Sequence, residues 1–551
     1  MSGTAYLDTF ANDKLPPREE WPALLFEREE LVYPERINCA AELLDRMVAR
    51  GYGAAPAIRG AQLSWTYAEL LETVDRIAGV LRAELHLVPG NRVLLRGANN
   101  PMMAACVLAV WKAGLIAVPT MPLLRARELG TIIDLARVDA VLCALELRAE
   151  LDLACREIEA APRVLSFNDP APGALEGLMV LSPPRFEAVD TWAQDVCLLG
   201  FTSGTTGRPK GTMHFHRDVL AVCDCFPRST LATRADDVFI GTPPLAFTFG
   251  LGGLLLFPLR YGASTVLLEK LTPDLLLAAI AEYRATVCFT APTFYRQMLP
   301  LAARHDLSSL TRSVSAGEAL PLQTRQAWQE ATGLAMIDGI GSTEMLHIFI
   351  SAAGAAIRPG ATGRPIPGYR ACILDEDGNP LGPGVTGRLA VQGPTGCRYL
   401  ADPRQRDYVC KGWNLTGDAY QVDADGYYWF QARSDDMIIS SGYNIAGPEV
   451  EDVLLQHPAV AECGVVGAPD PERGQVVLAY VVLRAGEQAG AEMAKALQDY
   501  VKQTLAPYKY PRRIEFRSAL PRTETGKLQR FKLRQEAQQA VDAVNQPVGH
   551  S

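Results

Sequence analysis

Residues 202–211 read TSGTTGRPKG, and they follow an apolar run, Val196 to Phe201, that has the length and composition of a buried strand. A strand emptying into three glycines, three threonines, a serine and a lysine within ten residues describes a loop built to wrap phosphates. Thr202, Ser203, Gly204, Thr205, Thr206 and Gly207 offer backbone N–H groups and hydroxyls, and Lys210 neutralises charge. Polyphosphate is the guest this chemistry fits. A Walker loop requires Gly-Lys-Ser/Thr at a helix start; Lys210 lies between Pro209 and Gly211, so that loop is ruled out. A plain surface loop is the alternative for any such cluster taken alone.

The totals set the frame around this loop. At 551 residues the chain is too long for one core and implies about two to four domains or subdomains. A net charge of −9 argues against a nucleic-acid partner, yet a local cluster of lysine and backbone N–H groups still binds phosphate in an acidic protein. Twelve cysteines are scattered from Cys39 to Cys463 without a regular framework, which fits reduced thiols in the cytoplasm. Cys223 and Cys225 lie near His214 and His216, but the spacing matches no zinc pattern, and the thiols read as incidental. The N-terminus lacks the basic and apolar regions of a secretory signal. Residues 102–124 are long and apolar, but Gly114, Pro119 and Pro122 interrupt them, so they read as a buried helix, a turn and a strand rather than a membrane span.

Alternation of strand and helix fills the chain on both sides of the loop. Ala40, Leu43, Leu44 and Met47 recur at helical spacing, and Thr66 with Glu69 forms a capping box opening a helix with Leu70, Leu71, Val74, Ile77 and Leu81 on its apolar face. Strands at 93–95 and 116–118 flank a helix at 101–113, which is a βαβ unit with parallel strands. Strands at 140–142, 163–165, 264–268, 287–290 and 312–315 continue the pattern, with a helix at 274–283, and two doubly wound αβ layers result. Frequent glycines from Pro359 to about Tyr428 mark a small β-rich subdomain with acidic hairpin turns at 375–378 and 423–426. Beyond residue 435 a further strand and helix series makes a small α+β domain, and the Gln- and Ala-rich tail after about Glu536 is expected to fray. The fold class is thus α/β: a large domain over 1–434 holding the β-rich subdomain, followed by a C-terminal domain over 435–551.

The loop resembles, residue for residue, the signature of the adenylate-forming superfamily, which includes acyl-CoA synthetases, luciferases and peptide-synthetase adenylation domains. Ser315-Ala316-Gly317-Glu318-Ala319 and Asp338-Gly339-Ile340-Gly341-Ser342-Thr343-Glu344, each following a predicted strand, resemble the two segments that hold adenine in that family. The resemblance implies that Gly317, Glu318, Ala319, Asp338, Gly339, Ser342 and Thr343 bind the nucleotide of ATP. It further implies that Glu344 and Thr205 hold Mg2+, a hard ion that takes one carboxylate plus phosphate oxygens. Thr416-Gly417-Asp418 resembles the ribose-binding step, fifteen residues before the hinge motif, with Asp418 on the hydroxyls and Arg433 on ribose or phosphate. Pro521 to Lys527 resembles the C-terminal lysine motif, which makes Lys527 the principal catalytic side chain beside Lys210 and Glu344. The reaction joins two anions, and a cation supplied at its transition state lowers the barrier.

A second half-reaction needs a thiol to reach the acyl carbonyl, and Asp435 matches the position about which the C-terminal domain of that family turns. Gly442 and Tyr443 then face CoA, with a simple hairpin glycine as the other reading of Gly442. Ala432-Arg433 stands where the family usually has Gly-Arg. Met345 to Phe349 resembles the benzoate branch, and residues 429–433 and 443–448 are similar to 2-aminobenzoate-CoA ligases. The aryl site then comprises Phe249, Ala316, Gly341, His347 and Ile348, with His347 as the polar handle and Phe249, on a strand, facing the ring where benzoate relatives tend to carry Tyr. The resulting expectation is a cytoplasmic, Mg-ATP-dependent aryl-CoA ligase with no nucleic-acid or membrane partner, as a monomer or homodimer. Loading of the acyl group onto a carrier protein, a luciferase-like oxygenase and a non-catalytic adenylate sensor are the rival readings.

Overall fold

The computed structural model describes residues 3–203, 209–317, 320, 322–375, 377–433, 437–521, 528 and 530–545. Two compact units divide the chain, one of Met1–Pro122, Gly130–Thr202 and Lys210–Ala432, the other of Leu123–Leu129, Ser203–Pro209 and Arg433–Ser551.

Two large sheets organise the first unit. In the six-stranded sheet the order is Arg163–Phe167, Ala140–Ala144, Arg92–Arg96, Ile116–Thr120, Val196–Ser203 and Pro209–Phe215. Its first five strands run parallel. The order reverses between Arg92–Arg96 and Ile116–Thr120, the doubly wound arrangement in which ligands gather beyond the carboxyl ends of strands. Val196–Ser203 carries its end straight into residues 204–208. A nine-stranded sheet has the parallel strands Arg312–Ala316, Val287–Thr290, Val238–Gly241, Ser264–Val266 and Pro56–Arg59 at its centre and antiparallel pairings at both edges. Ile337–Gly341 runs parallel to Arg312–Ala316, so the carboxyl ends of these two strands open side by side at residues 317 and 342–344.

Local sequence explains the elements between them. The helix Tyr67–Ala83 opens on the expected capping box: Glu69 N–H donates to Thr66 Oγ1 at 3.3 Å and Thr66 N–H donates to Glu69 Oε2 at 2.8 Å. Pro101–Lys112 starts on Asn100, which accepts the Met103 N–H at 2.8 Å, and every one of its residues is buried. That all-round burial accounts for the apolar stretch at 102–124, and among the described residues no helix is long and apolar enough to cross a membrane. Lys112, the one charge in this helix, ends between the carboxylates of Asp45, at 2.6 Å, and Asp75.

Several elements differ from their sequence reading. Phe249 belongs to the short helix Thr248–Leu251, with Phe247 at its N-cap, because Pro243 and Pro244 turn the chain after Val238–Gly241 ends. The small antiparallel sheet comprises Arg370–Leu374, Thr386–Gln392, Val409–Cys410, Trp413–Val422 and Tyr428–Arg433, while Arg364–Pro365 joins the nine-stranded sheet. It therefore starts later and ends later than the glycine pattern suggests. Ser315 and Ala316 finish a strand, and Asp338 to Gly341 lie within one. In the second unit the sheet holds Tyr443–Ala446, Met437–Ser440, Gly474–Leu483, Val460–Asp470 and Arg513–Phe516, with helices Gly447–Gln456 and Ala491–Thr504. The C-terminal tail does not end its order at Glu536: the helix Arg530–Asn545 continues through it, anchored by the buried Leu533 and Ala537.

One buried ion pair ties the end of the strand Pro209–Phe215 to a distant segment. Asp218, at the first turn of the helix His216–Ser229, accepts the Phe215 N–H at 3.0 Å and pairs with Arg398, both side chains being fully buried. Arg398 also lies 4.0 Å above the Phe215 ring. Removing one member of a buried pair strands the other charge in a medium that solvates it poorly. Asp218→Ala is therefore expected to destabilise the protein by about 3–5 kcal/mol in urea or thermal unfolding. Asp236→Ala, which breaks the surface pair of Arg234 and Asp236 with side chains 69% and 72% exposed, should cost less than about 1 kcal/mol.

Candidate functional site

The ion pair holds residues 398–400 against the strand Pro209–Phe215: Met213 N–H donates to Arg398 O at 2.8 Å and Leu400 N–H to Gly211 O at 2.8 Å. Tyr399 is thereby set beside Lys210. The Lys210 ammonium, buried, lies 4.1 Å from the centre of the Tyr408 ring and 4.9 Å from that of Tyr399. Glu344, also buried, has its Oε1 4.0 Å from that ammonium and accepts the Tyr399 hydroxyl at 2.6 Å. Burial raises the Tyr399 hydroxyl far above the usual phenol range, and the Glu344 charge adds to it, so Tyr399 remains a donor. Two aromatic faces and one carboxylate thus hold this lysine in place.

His214 joins the second half of this cluster to the first. Its Nε2–H donates to Thr343 O at 2.8 Å, fixing the backbone next to Glu344. Burial lowers its pKa to about 4, which keeps the imidazole neutral beside Arg398. Gly200 faces Thr343 so closely that a Cβ would sit 2.8 Å from its methyl group. Ser342 Oγ accepts the Met345 N–H at 3.2 Å. Thr202, at the end of Val196–Ser203, keeps a buried Oγ1 without a hydrogen-bond partner among the described residues.

Beyond the paired strand ends, Gly317 has φ +87°, the left-handed turn that lets the chain leave Ala316 sharply. Asp338 is buried, with Oδ1 unpartnered among the described residues and the Arg325 guanidinium 3.9 Å from Oδ2. Burial pushes its carboxyl up to about 7, against the pull of Arg325. Gly339 packs against Ile348, where a Cβ would lie 2.8 Å from the side chain, and Gly341 faces the His347 carbonyl at 2.7 Å in the same sense. Asp418 is buried in Trp413–Val422, which bulges opposite Thr386–Gln392; Gly417 takes φ +77° and Asp418 N–H donates to Thr416 Oγ1 at 3.2 Å. Thr416 to Asp418 thus form a bulge inside a strand.

His347 stands in a box of rings. Phe257 lies 4.5 Å away edge-on, Phe249 at 5.7 Å, Phe226 at 5.8 Å and Phe289 at 6.4 Å. Neither ring nitrogen of this buried histidine makes a well-formed hydrogen bond among the described residues, the Phe249 backbone offering a weak one, and burial lowers its pKa to about 3. A neutral imidazole with two poorly satisfied polar atoms inside an aromatic shell costs free energy that a polar guest would recover. Gly252 and Gly253 form the backbone side of the box: a Cβ on the first would lie 2.4 Å from the His347 ring and on the second 2.5 Å from Phe289.

Other expected positions fall elsewhere. In the second unit Ser441 and Gly442, with φ +49° and +80°, make the hairpin turn between Met437–Ser440 and Tyr443–Ala446, and Tyr443 stacks on Tyr508 at 4.3 Å. Gly204, Thr205, Thr206, Gly207, Glu318, Ala319, Asp435 and Lys527 lie outside the described residues, as do the side chains of Ser203 and Arg433. Tyr399, Tyr408, His214, Arg398 and Phe289 were not legible as site residues, since each meets its partner only through long-range folding.

Residues 46–399 match the AMP-binding enzyme family and residues 449–527 the AMP-binding enzyme C-terminal domain. The benzoate–CoA ligase of Thauera aromatica is 36% identical over 507 residues, 91% of this chain and 96% of its own. A crystal structure of an anthranilate CoA ligase in complex with anthranoyl-AMP superposes with a TM-score of 0.71 at 33% identity, covering 94% of this chain and 100% of that one. The amide bond synthetase McbA from Marinactinospora thermotolerans superposes with a TM-score of 0.81 at 31% identity, over 91% and 99% of the two chains. With its glycine-rich loop, paired strand ends and buried Glu344 in these matched regions, the chain belongs to the AMP-binding enzyme family, among its adenylate-forming CoA ligases.

Proposed function

We propose that the protein is an AMP-forming aryl-CoA ligase that converts an aromatic carboxylic acid of the benzoate or 2-aminobenzoate class to its acyl-adenylate and then to the CoA thioester. One observation carries the aromatic assignment: His347, three residues after Glu344, presents two nitrogens without a well-formed hydrogen bond inside a shell of four phenylalanines. Flat apolar walls suit an aryl ring, and one neutral polar handle suits a ring substituent. Phe249, Ala316, Gly341 and Ile348 are the further aryl-site residues. The relatives that act on benzoate and anthranilate support the same class.

The nucleophile is the substrate's own carboxylate, whose oxygen bonds to the α-phosphorus of ATP as the bond to pyrophosphate breaks. The protein's task is to place two anions together and offset their charge. Lys210 meets the phosphates with a side chain already immobilised between Tyr399, Tyr408 and Glu344, so little order remains to be imposed on binding. Thr202, Ser203, Gly204, Thr205, Thr206 and Gly207 donate to phosphate oxygens. Glu344, with Thr205, would hold Mg2+: a single buried carboxylate fits an ion that takes its remaining ligands from phosphate and water, and the bound ion would neutralise the leaving pyrophosphate. Gly317, Glu318, Ala319, Asp338, Gly339, Ser342 and Thr343 receive the adenine side, where the raised pKa and unpartnered Oδ1 of Asp338 suit a carboxyl that shares a proton with a base edge. Asp418 accepts from the ribose hydroxyls and Arg433 adds a cation. Lys527 then supplies charge where the carboxylate meets the α-phosphate.

For the thioester step the C-terminal domain turns about Asp435, withdrawing Lys527 and bringing Gly442 and Tyr443 toward the pantetheine arm. The CoA thiol sulfur attacks the acyl carbonyl and AMP leaves.

The overall reading is tested by pyrophosphate release with ATP, CoA and a panel of benzoate, 2-aminobenzoate, hydroxybenzoates, fluorobenzoates and aliphatic acids. Aryl acids should give the higher kcat/KM, with the acyl-CoA and AMP as products; preference for aliphatic acids would reject the aromatic assignment. Acyl transfer to an amine or a carrier protein in place of CoA would reject the ligase assignment while leaving adenylation intact.

The two half-reactions separate the lysines. Lys527→Ala is expected to lower acid-dependent ATP–pyrophosphate exchange by about 10²–10³-fold while leaving CoA acylation from supplied aryl-AMP within roughly a factor of three. Equal loss of both halves would count against the division of labour. Asp435→Pro, by restricting the pivot, should slow the second half more than the first in the same pair of assays.

A further inference from the structure

At the foot of the phosphate hairpin, away from the aryl and nucleotide positions, three soft or borderline metal ligands converge from distant parts of the chain. Cys39 precedes the helical segment that buries Leu43 and Leu44, Cys197 is the second residue of Val196–Ser203, and His216 opens the helix His216–Ser229. All three are fully buried, and one ligand atom from each lies within 4.8 Å of the other two. Cys39 Sγ is 3.1 Å from His216 Nδ1.

The histidine is turned toward the thiols by its other edge. Nε2 lies 3.4 Å from the Tyr6 hydroxyl, and that hydroxyl donates at 2.7 Å to Val196 O. With its proton committed to the carbonyl, Tyr6 can only accept from the imidazole, which puts the ring proton on Nε2 and the lone pair of Nδ1 toward Cys39 and Cys197. An outer hydrogen bond that fixes tautomer and ring direction is the arrangement that metal-binding histidines need. The N-terminal strap bearing Tyr6 is itself pinned, with Thr4 Oγ1 donating to Asp195 Oδ1 at 2.5 Å and Ala5 N–H to Asp195 Oδ2 at 3.1 Å. Nδ1 also accepts the Cys39 N–H at 3.2 Å, and this is the contact an ion would replace.

We propose that Cys39, Cys197 and His216 form a structural site for a thiophilic divalent cation, Zn2+, that clamps the base of the hairpin carrying the phosphate loop. Two thiolates and a neutral imidazole match the ion in softness and leave the buried complex without net charge, which a monovalent ion would not. Loading one Zn2+ displaces the proton of each thiol to solvent and forms two Zn–S bonds and one Zn–N bond; the fourth position is left for water. The site joins the chain just before the helical segment Ala41–Asp45, the entry strand of the loop and the helix after it. It takes nothing from Cys223 and Cys225, although these lie nearest His216 in sequence: Cys223 Sγ is turned to Val219 O within its own helix.

The test uses the full chain expressed with zinc and purified without chelator. Elemental analysis is expected to find about one zinc per chain, reduced at least tenfold in Cys39→Ser/Cys197→Ser and unchanged in Cys223→Ser/Cys225→Ser. Should the first variant fail to fold, the wild-type chain decides alone: after chelation, Co2+ should produce a thiolate-to-metal charge-transfer band, and Zn2+ should raise the midpoint of thermal unfolding. Less than about a tenth of an ion per chain with no cobalt band overturns the proposal. So does zinc retained in folded Cys39→Ser/Cys197→Ser, or a Cys39–Cys197 peptide two hydrogens lighter than the dithiol.

Discussion

The pairing of Arg398 with Asp218 inside the first unit is the constraint on which the site's geometry rests. Neither side chain reaches water, so each depends on the other for the charge stabilisation that solvent would have provided. The consequence is register. With Arg398 fixed over Phe215, residues 398–400 have one way to lie along 211–213, and Tyr399 falls beside Lys210 and Glu344. A buried ion pair of this kind contributes little net stability against an apolar replacement, but it penalises every alternative pairing heavily. Here that penalty is applied next to Lys210.

Charge is sorted over a short distance along the chain from Thr343 to Ile348. Glu344 faces Lys210 and the Tyr399 hydroxyl, whereas His347, three residues on, is stripped of charge by burial among the rings around it. His214 is likewise held neutral by burial. A cluster of charged groups and a cluster of rings therefore meet within a few residues of chain. An acid whose carboxylate must meet phosphate while its ring stays dry fits that division.

Much of this could be read before folding was considered, and what could not has a common physical cause. The capping box at Thr66 and Glu69, the parallel strands around 92–120 and the glycine-rich loop are local patterns in which neighbouring residues carry the information. Glu344 and Asp418 stand out as candidates because they sit in short strings with distinctive order. Tyr399 and Arg398 meet Glu344 and Asp218 across 55 and 180 residues, and nothing near either tyrosine or arginine marks it. Phe249 was misplaced on a strand because a run of apolar residues after Pro243-Pro244 is equally at home in a short helix, and only burial against Phe289 decides. His216 posed the sharpest case: its sequence neighbours offered a poor thiol pair, and its spatial neighbours, Cys39 and Cys197, come from far outside any spacing rule.

Gly252 and Gly253 set a limit on how the ring-lined chamber can evolve. A Cβ added to Gly252 would lie 2.4 Å from the His347 ring and one added to Gly253 2.5 Å from Phe289, so even a methyl group there has nowhere to go. Room can be traded only from the opposite side, by trimming or extending side chains such as Phe249. Selection on chemical preference is thereby channelled through a few ring positions, while the bare helix opposite acts as an immovable template against which each new occupant has to be measured.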